Sequence, residues 1–200
     1  MCEGEDVIAN LTLEGERVRL EPVAERHLAD LLARCADPAL WEFTFSVNPF
    51  TGEDGARAWL GDIAALPDHH AFAIVERATG HAIGSTRFAD IQPAHRKLEI
   101  GWTFLQRASW RSGINTECKY LLLRYAFEQW NAERVQLKAE ATNERSRQAI
   151  LGIGAAYEGT LRSYRIHPKS GDARDTSFYS VIAREWPAVR ERLERRLAGA

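Results

Sequence analysis

The stretch LEIGWTFLQRASWRSGINTECKY, residues 98–120, predicts a strand, a loop containing glycine, and the first turns of a long helix. Within residues 98–105 apolar side chains recur with the period of two that is typical of a strand. Apolar residues occur on both sides of the alternation, which favours a strand buried on at least one face. The side chains predicted to share one face are Leu98, Ile100, Trp102 and Phe104.

The loop that follows has the chemistry of a phosphate-binding site. It contains Arg107 and Arg111 and reaches Gly113, where the backbone of a glycine can approach a ligand closely. A helix beginning near residues 114–116 directs its unpaired N–H groups and its positive dipole end into the loop. The standard nucleotide-binding glycine motifs are absent from this stretch. An ordinary strand-to-helix turn with solvated arginines remains the alternative.

The composition of the whole chain is that of one globular domain. Its 200 residues are 45% hydrophobic and carry a net charge of −2, which gives no reason to expect binding to nucleic acid. Cys2, Cys35 and Cys118 are odd in number and far apart, which argues against a disulfide framework or a metal site and for a reducing compartment. The acidic N-terminus and the lack of an apolar run of about 20 residues predict a cytoplasmic protein without a membrane segment.

Alternating patterns and turn residues predict one α/β (α+β) domain, residues 1–200, with a mixed sheet. Residues 1–14 are expected to be a loose start, and a capping box is predicted at Thr51–Asp54. Asn143 is predicted to cap a later helix. The predicted strands are 17–22, 71–76, 82–89, 98–105, 134–141, 155–166 and 175–183. The predicted helices are 24–36, 51–67, 114–131, 143–154 and 185–198, the last of which packs on the domain or forms a homodimer contact.

Five segments resemble the GNAT superfamily of N-acetyltransferases in their order and spacing. They are LEIGWTFL (98–105), WRSGINTE (110–117), KYLLLRYAFE (119–128), VQLKAEA (135–141) and TNERSRQAILGIGAAYEG (142–159). The resemblance is strongest to the branch that includes the N-terminal acetyltransferases of ribosomal proteins, where an Arg-Asp pair such as Arg174-Asp175 enters a late strand. It implies a mostly antiparallel sheet, splayed between the fourth and fifth predicted strands, with helices on both faces.

The resemblance also implies acetyl-CoA as co-substrate, with no metal. The strand near Thr103 would pair with the pantetheine arm, and the loop at Gly113 would take the pyrophosphate. The implied cofactor-binding residues are Thr103, Phe104, Leu105, Arg111, Ser112, Gly113, Ile114, Asn115, Thr116, Asn143 and Arg147. The loop departs from the family pattern, because Trp110 and Asn115 occupy positions where a glutamine or arginine and a glycine or alanine are usual.

The catalytic residues implied are Ser146 and Glu99. The family's usual tyrosine acid is replaced by Ile150, which leaves Ser146 as the nearest proton donor. The alternative for Ser146 is a solvated or capping residue in the first turn of its helix. Glu99 is the candidate base, acting through water. The alternative for Glu99 is a carboxylate at the rim of the site paired with Arg96 or Lys97.

The predicted activity is acetyl transfer to a primary amine by direct attack. The acceptor is either a protein N-terminus or a small molecule, and the expected acceptor-side residues are Trp41, Phe45, Tyr164 and Asp175. Because the family's tyrosine is missing, a non-catalytic protein that binds or senses acyl-CoA is the alternative.

Overall fold

One eight-stranded sheet organises the computed structural model, which describes Ile8, residues 10–44 and residues 46–199. The strands are β1 (Leu13–Glu14), β2 (Val18–Pro22), β3 (His70–Glu76), β4 (Ala82–Gln92), β5 (Lys97–Leu105), β6 (Arg134–Glu140), β7 (Ala156–Ile166) and β8 (Ala173–Ile182). Their order across the sheet is β1-β2-β3-β4-β5-β6-β8-β7. Every neighbouring pair is antiparallel except β5 and β6, which are parallel. The predicted mixed and mostly antiparallel sheet is confirmed.

Helices cover both faces of this sheet, as expected. They are α1 (Leu28–Cys35), α2 (Glu53–Ala64), α3 (Ile114–Glu128), α4 (Glu144–Gly152) and α5 (Trp186–Ala198). The larger core cluster packs α3 and α5 against one face, with Leu122 and Leu193 fully buried. The smaller cluster packs α1 and α2 against the other face, around Phe50 and Leu31.

The helix and strand boundaries differ from the predictions in a few places. Residues 13–14 of the expected loose start form β1 on the edge of the sheet, while residues 1–7 and 9 lie outside the described part of the chain. The capping box at Thr51–Asp54 is wrong, because α2 starts after Gly52 without a side-chain cap. The predicted cap of α4 is confirmed, since Asn143 Oδ1 accepts a hydrogen bond from the Ser146 N–H at 3.0 Å.

The splay between β5 and β6 is the feature that opens the sheet. The two strands pair only at Lys97–Arg134, Leu98–Val135 and Glu99–Gln136. Beyond Glu99 the edge of β5 that faces β6 has no strand partner among the described residues, so backbone groups there are available to another extended chain.

A β-bulge at Trp102 changes which side chains of β5 share a face. Arg87 of β4 lies opposite Gly101 and Ser85 lies opposite Phe104, so one residue of β4 spans two of β5, and Trp102 takes a φ of 48°. The alternation therefore shifts by one residue, and Phe104 enters the smaller core cluster. The prediction that Phe104 shares a face with Leu98 and Ile100 is wrong for this reason.

Candidate active site

A cleft of about 800 Å³ opens where β5 leaves β6. Its walls come from the separated halves of β5 and β6, the loop before α3, the first turns of α3 and α4, and the segment after α1. The described residues give the cleft eight basic and two acidic side chains. This excess of positive charge in a partly enclosed space favours an anionic ligand.

The N-terminus of α3 forms one end of the cleft. Its N-cap, Gly113, has φ 84° and ψ −15°, a left-handed conformation that costs other residues about 1–2 kcal/mol. No side chain caps this helix, and among the described residues no acceptor takes the backbone N–H groups of Asn115 and Thr116. Arg111 also has a positive φ, 62°, which curves the loop around these donors. This arrangement is an anion-binding concavity.

Arginines surround that concavity. The guanidinium carbon of Arg145 lies 3.9 Å from the ring centroid of Trp110, and that of Arg107, on the loop itself, lies 5.8 Å from the same centroid. Trp110 is held in turn because its Nε1 donates to the Leu105 carbonyl at 2.9 Å. The unusual tryptophan at this position therefore orients a cation beside the helix terminus.

The start of α4 lies across the cleft from α3. Asn143 and Ser146 both line the cleft and are linked by the capping hydrogen bond. Ile150, one turn further along, is buried and contributes an apolar surface at the same wall. Ser146 is thus the hydroxyl that α4 presents to the cleft.

Glu99 lies in the cleft at the last paired position of β5 and β6. It is 4% exposed, and its Oε2 is 2.6 Å from the Lys138 ammonium and accepts a hydrogen bond from Gln136 at 3.2 Å. Its Oε1 lies above Gly101, because a Cβ built on that glycine would be 3.0 Å from this oxygen. A buried carboxylate therefore stands at the apex of the opening.

The alternative for Glu99, a rim carboxylate paired with Arg96 or Lys97, does not match this geometry. Arg96 pairs with Glu133 at the surface, and Lys97 lies 3.6 Å from Asp90. The partner of Glu99 is instead Lys138, which strand alternation places on the same face of β6 as Gln136.

Lys119 is a residue of the cleft that the sequence analysis missed. It lies in the second turn of α3, 7% exposed, and its Nζ donates to Thr103 Oγ1 at 2.6 Å. Burial lowers the pKa of Lys119 to about 8. The sequence pattern gave no sign that Lys119 is buried, because a lysine in an amphipathic helix usually lies on the solvent side.

A second missed group is the wall formed by Arg87, Trp59 and Trp102. Arg87 is 7% exposed, and burial lowers its pKa to about 10. Its guanidinium carbon lies 5.9 Å from the Trp59 ring centroid and 5.8 Å from that of Trp102. No sequence signal placed Arg87 in a site, because an arginine in a strand usually lies on the solvent face. The buried Glu140, 3.4 Å from Arg174, also lines the cleft and was missed.

The structure brings most of the predicted site residues together. Besides Glu99 and Ser146, the predicted residues that line the cleft are Trp41, Thr103, Phe104, Leu105, Arg111, Gly113, Asn115, Thr116 and Asn143. Their roles stay predictions, because position in the cleft does not establish a contact with a ligand.

Five predicted residues lie away from the cleft lining. The Ser112 hydroxyl donates to the Ser109 carbonyl at 2.7 Å, and Ile114 is buried in the larger core cluster. Arg147 is held by Tyr179, with its Nε donating to the hydroxyl at 3.1 Å.

The remaining two belong to the β7–β8 hairpin. Tyr164 packs edge-on against Phe178, and Asp175 accepts a hydrogen bond from the Ser163 N–H at 2.8 Å. A further predicted acceptor-side residue, Phe45, lies outside the described residues.

The fold is that of the GNAT class of acetyltransferases. Residues 17–156 match the family model described as "Acetyltransferase (GNAT) domain". The match spans more than half of the chain, and the chain therefore belongs to this family and is an acyltransferase. Membership favours the enzyme over the non-catalytic alternative.

Three other proteins are similar to this chain in sequence and, where their structures are solved, in fold. A "putative acetyltransferase" from T. thermophilus has a solved structure that is 42% identical, with a TM-score of 0.85 and coverage of 93% of this chain and 96% of that one. The "Putative ribosomal N-acetyltransferase YdaF" of Bacillus subtilis (strain 168) is 28% identical over 172 residues, 84% of this chain and 90% of YdaF. Mycobacterium smegmatis RimJ, solved with CoA-disulfide, shares the fold at 23% identity and a TM-score of 0.77, covering 94% and 96% of the two chains.

Two features are absent from the residues that the structure describes. No helix among them is long and apolar enough to cross a membrane. They also contain no group of three or more histidine, cysteine, aspartate or glutamate side chains arranged to hold a metal ion.

Proposed function

We propose that this acyltransferase uses acetyl-CoA to acetylate a primary amine, which attacks the thioester directly. The observation that carries the proposal is the unpaired edge of β5 beyond Glu99, which runs from the β5–β6 apex towards the N-terminus of α3. An extended pantetheine chain fits such an edge as a substitute strand.

The residues at the α3 end fit the pyrophosphate of acetyl-CoA. Free N–H groups of Asn115 and Thr116, with Arg111 and Arg145 beside them, supply donors and positive charge. Asn143 lies opposite, where its amide is within the cleft for the pantetheine arm. Acetyl-CoA supplies the acetyl group as a thioester.

The apex of the cleft fits the amine. Glu99 is the acidic residue placed there, and it accepts the proton of the incoming amine, directly or through a water molecule. Lys138 holds its carboxylate in position at 2.6 Å. Ser146, from the opposite wall, donates a hydrogen bond to the departing thiolate, which is a weak base because its conjugate thiol has a pKa of about 8.5.

The pKa of the acceptor amine determines how much catalytic assistance the site must supply. About 10–15% of an α-amine is neutral at pH 7, compared with about 0.04% of a lysine amine. This difference corresponds to about 3.5 kcal/mol of additional assistance for lysine. An α-amine, in a small molecule or at a protein N-terminus, therefore needs less assistance from the site than an amine as basic as that of lysine. The homodimer and the cytoplasmic location stay predictions.

Two measurements on the purified protein test the proposal. Isothermal titration with acetyl-CoA is expected to give one-site binding, with an affinity that falls as salt is added. Thiol release is then followed over a panel of peptides, amino acids and other amines. Binding followed by release with one acceptor class supports the proposal. An absence of acetyl-CoA binding, or binding without release for every amine, contradicts it.

A further inference from the structure

Arg87 forms one wall of the cleft together with Trp59 and Trp102, and it is much less exposed than an ordinary surface arginine. It lies on β4 directly opposite Gly101, and only 7% of it is exposed. Because Gly101 has no side chain, Glu99 Oε1 occupies the space above it. Arg87 and Glu99 are diagonal neighbours on adjacent strands, at positions whose Cα atoms are about 7–8 Å apart.

Within the part of the chain that the structure describes, no carboxylate neutralises the charge of Arg87. No charged partner of Arg87 is found within residues 10–44 and 46–199, and its Nε has no hydrogen-bond partner there. Its neighbours are the indole rings of Trp59 and Trp102, which stabilise a cation but supply no counter-ion. The carboxylate nearest in the strand pattern, Glu99, is paired with Lys138.

Two further basic side chains contact the Trp102 ring. The guanidinium carbon of Arg165 lies 5.8 Å from the Trp102 ring centroid, and the imidazole of His69 packs edge-on against the same ring at 4.8 Å. Burial lowers the pKa of His69. Arg87, with its pKa of about 10, keeps its charge at pH 7.

A buried cation without a counter-ion is unfavourable, and folded proteins pair nearly all of them. When such a cation faces a ligand cleft, a ligand that carries the counter-ion removes the penalty. A guanidinium held between two indoles also presents its planar donors in a fixed direction, which matches carboxylate and phosphate oxygens.

We propose that Arg87 binds an anionic group, a carboxylate or a phosphate, on the same acceptor whose amine reaches Glu99. This inference rests on the proposed function and narrows the acceptor to an amine that also carries a negative charge within a few bonds of the nitrogen. An α-amino acid has this arrangement, and so does a phosphorylated amino alcohol.

Pairs of acceptors that differ mainly in one anionic group isolate the effect of that group on the reaction rate. The pairs are L-methionine with L-methioninamide, O-phosphoethanolamine with ethanolamine, and the peptides Met-Asp-Ala-amide with Met-Asn-Ala-amide. In the unmodified protein the charged member of at least one pair is expected to have a kcat/KM at least tenfold higher. In Arg87→Met this ratio is expected to fall at least tenfold, while Arg195→Met, a surface control, keeps it. Equal rates within every pair, or an unchanged ratio in Arg87→Met, overturn the inference and leave the proposed function standing.

A binding measurement serves as a readout that does not depend on turnover. N-acetyl-L-methionine and O-phospho-N-acetylethanolamine keep the anion but lack a reactive amine, and each is titrated beside its uncharged counterpart in the presence of CoA. We expect at least one anion to bind tenfold more tightly than its counterpart, and Arg87→Met to abolish the difference. If no amine is acetylated but an anion still binds through Arg87, the proposed function fails while anion binding at this site stands. If neither anion binds better than its neutral counterpart, the inference fails.

A stability measurement distinguishes this role from packing. If Arg87 serves to bind a ligand, Arg87→Met removes an unpaired buried charge from the ligand-free protein. The urea midpoint of the variant is then expected to be equal to or above that of the unmodified protein. A clear fall in the midpoint relative to Arg195→Met overturns the inference in favour of a structural role.

Discussion

The ammonium of Lys119 lies 2.6 Å from the hydroxyl oxygen of Thr103, under the strand segment where β5 has left β6. Thr103 in turn shares a 2.8 Å hydrogen bond with Thr86 of β4. The bulge at Trp102 makes this contact possible, because it turns Thr103 towards α3. A buried cation thus fixes the part of β5 that is proposed to bind pantetheine.

Replacing Lys119 by methionine is expected to stabilise the protein at pH 7. The pKa of Lys119 falls from 10.5 in the unfolded chain to about 8 in the folded one, which corresponds to a penalty of about 3 kcal/mol below pH 8. Between pH 8 and 10.5 the unfolded chain binds more protons than the folded one, so the penalty shrinks as pH rises. Urea unfolding at about pH 7, 9 and 10 is expected to show Lys119→Met as more stable at pH 7, with a difference that decreases towards pH 10. A difference that is constant with pH contradicts the proposed burial of charge.

Glu117 is expected to be essential for the stability of the β1–β2 region. Its carboxylate accepts backbone hydrogen bonds from Glu16 at 2.8 Å and from Arg17 and Val18 at 2.9 Å. Glu117→Ala leaves these donors without their acceptor and is expected to lower the free energy of unfolding by about 3 kcal/mol. The exposed Glu191→Ala is the control, expected within about 0.5 kcal/mol of the unmodified protein. Equal effects of the two changes in urea unfolding would show that the Glu117 contacts contribute little.

The left-handed conformation of Gly113 predicts a specific loss of acetyl-CoA binding. Gly113→Val cannot adopt φ 84° without strain, so the loop must move away from the free N–H groups of α3. The dissociation constant for acetyl-CoA is expected to rise at least tenfold, with an unchanged circular dichroism spectrum. Gly61→Val adds the same bulk on α2, where a Cβ meets nothing within 4 Å, and is expected to bind normally. Normal binding by Gly113→Val would place the cofactor elsewhere.

Glu99→Gln tests the proposed base. The amide keeps the size of the side chain but cannot accept a proton, so kcat/KM for the amine is expected to fall by about 100-fold, with little change in acetyl-CoA affinity. The pH–rate profile of the variant is expected to rise more steeply with pH, because only acceptor that is already neutral reacts. Glu133→Gln, at the surface ion pair with Arg96, is the control. Full activity of Glu99→Gln would assign the base to another group, and Glu140 is the next carboxylate in the cleft.

Ser146→Ala tests the proposed hydrogen bond to the departing thiolate. Turnover is expected to decrease about tenfold or more, whereas the acetyl-CoA dissociation constant stays within about twofold, because the capping bond uses the backbone N–H of Ser146 and not its hydroxyl. Stopped-flow thiol release and titration on the same sample separate the two quantities. Unaltered turnover would leave Ser146 with no part in the chemistry.

The elements of the fold were largely readable from local patterns. Period-two alternation located β5 and β6 to within one residue, and Asn143 was found as a cap because a short amide side chain before a helix has few other local roles. The bulge at Trp102 was not readable, since nothing in the alternation LEIGWTFL indicates that one residue of β4 will span two of β5.

The sequence by itself determined the order of the strands and helices other than β1, and the glycine loop before α3. Only the tertiary structure decided which distant residues meet there. Lys138 reaches Glu99 because β5 and β6 are parallel for three residues before they separate, and Arg87 faces the acceptor space because β4 lies opposite Gly101. Local patterns are set by the steric preferences of neighbouring residues, whereas these contacts depend on strand register, which is fixed only when the whole sheet is packed.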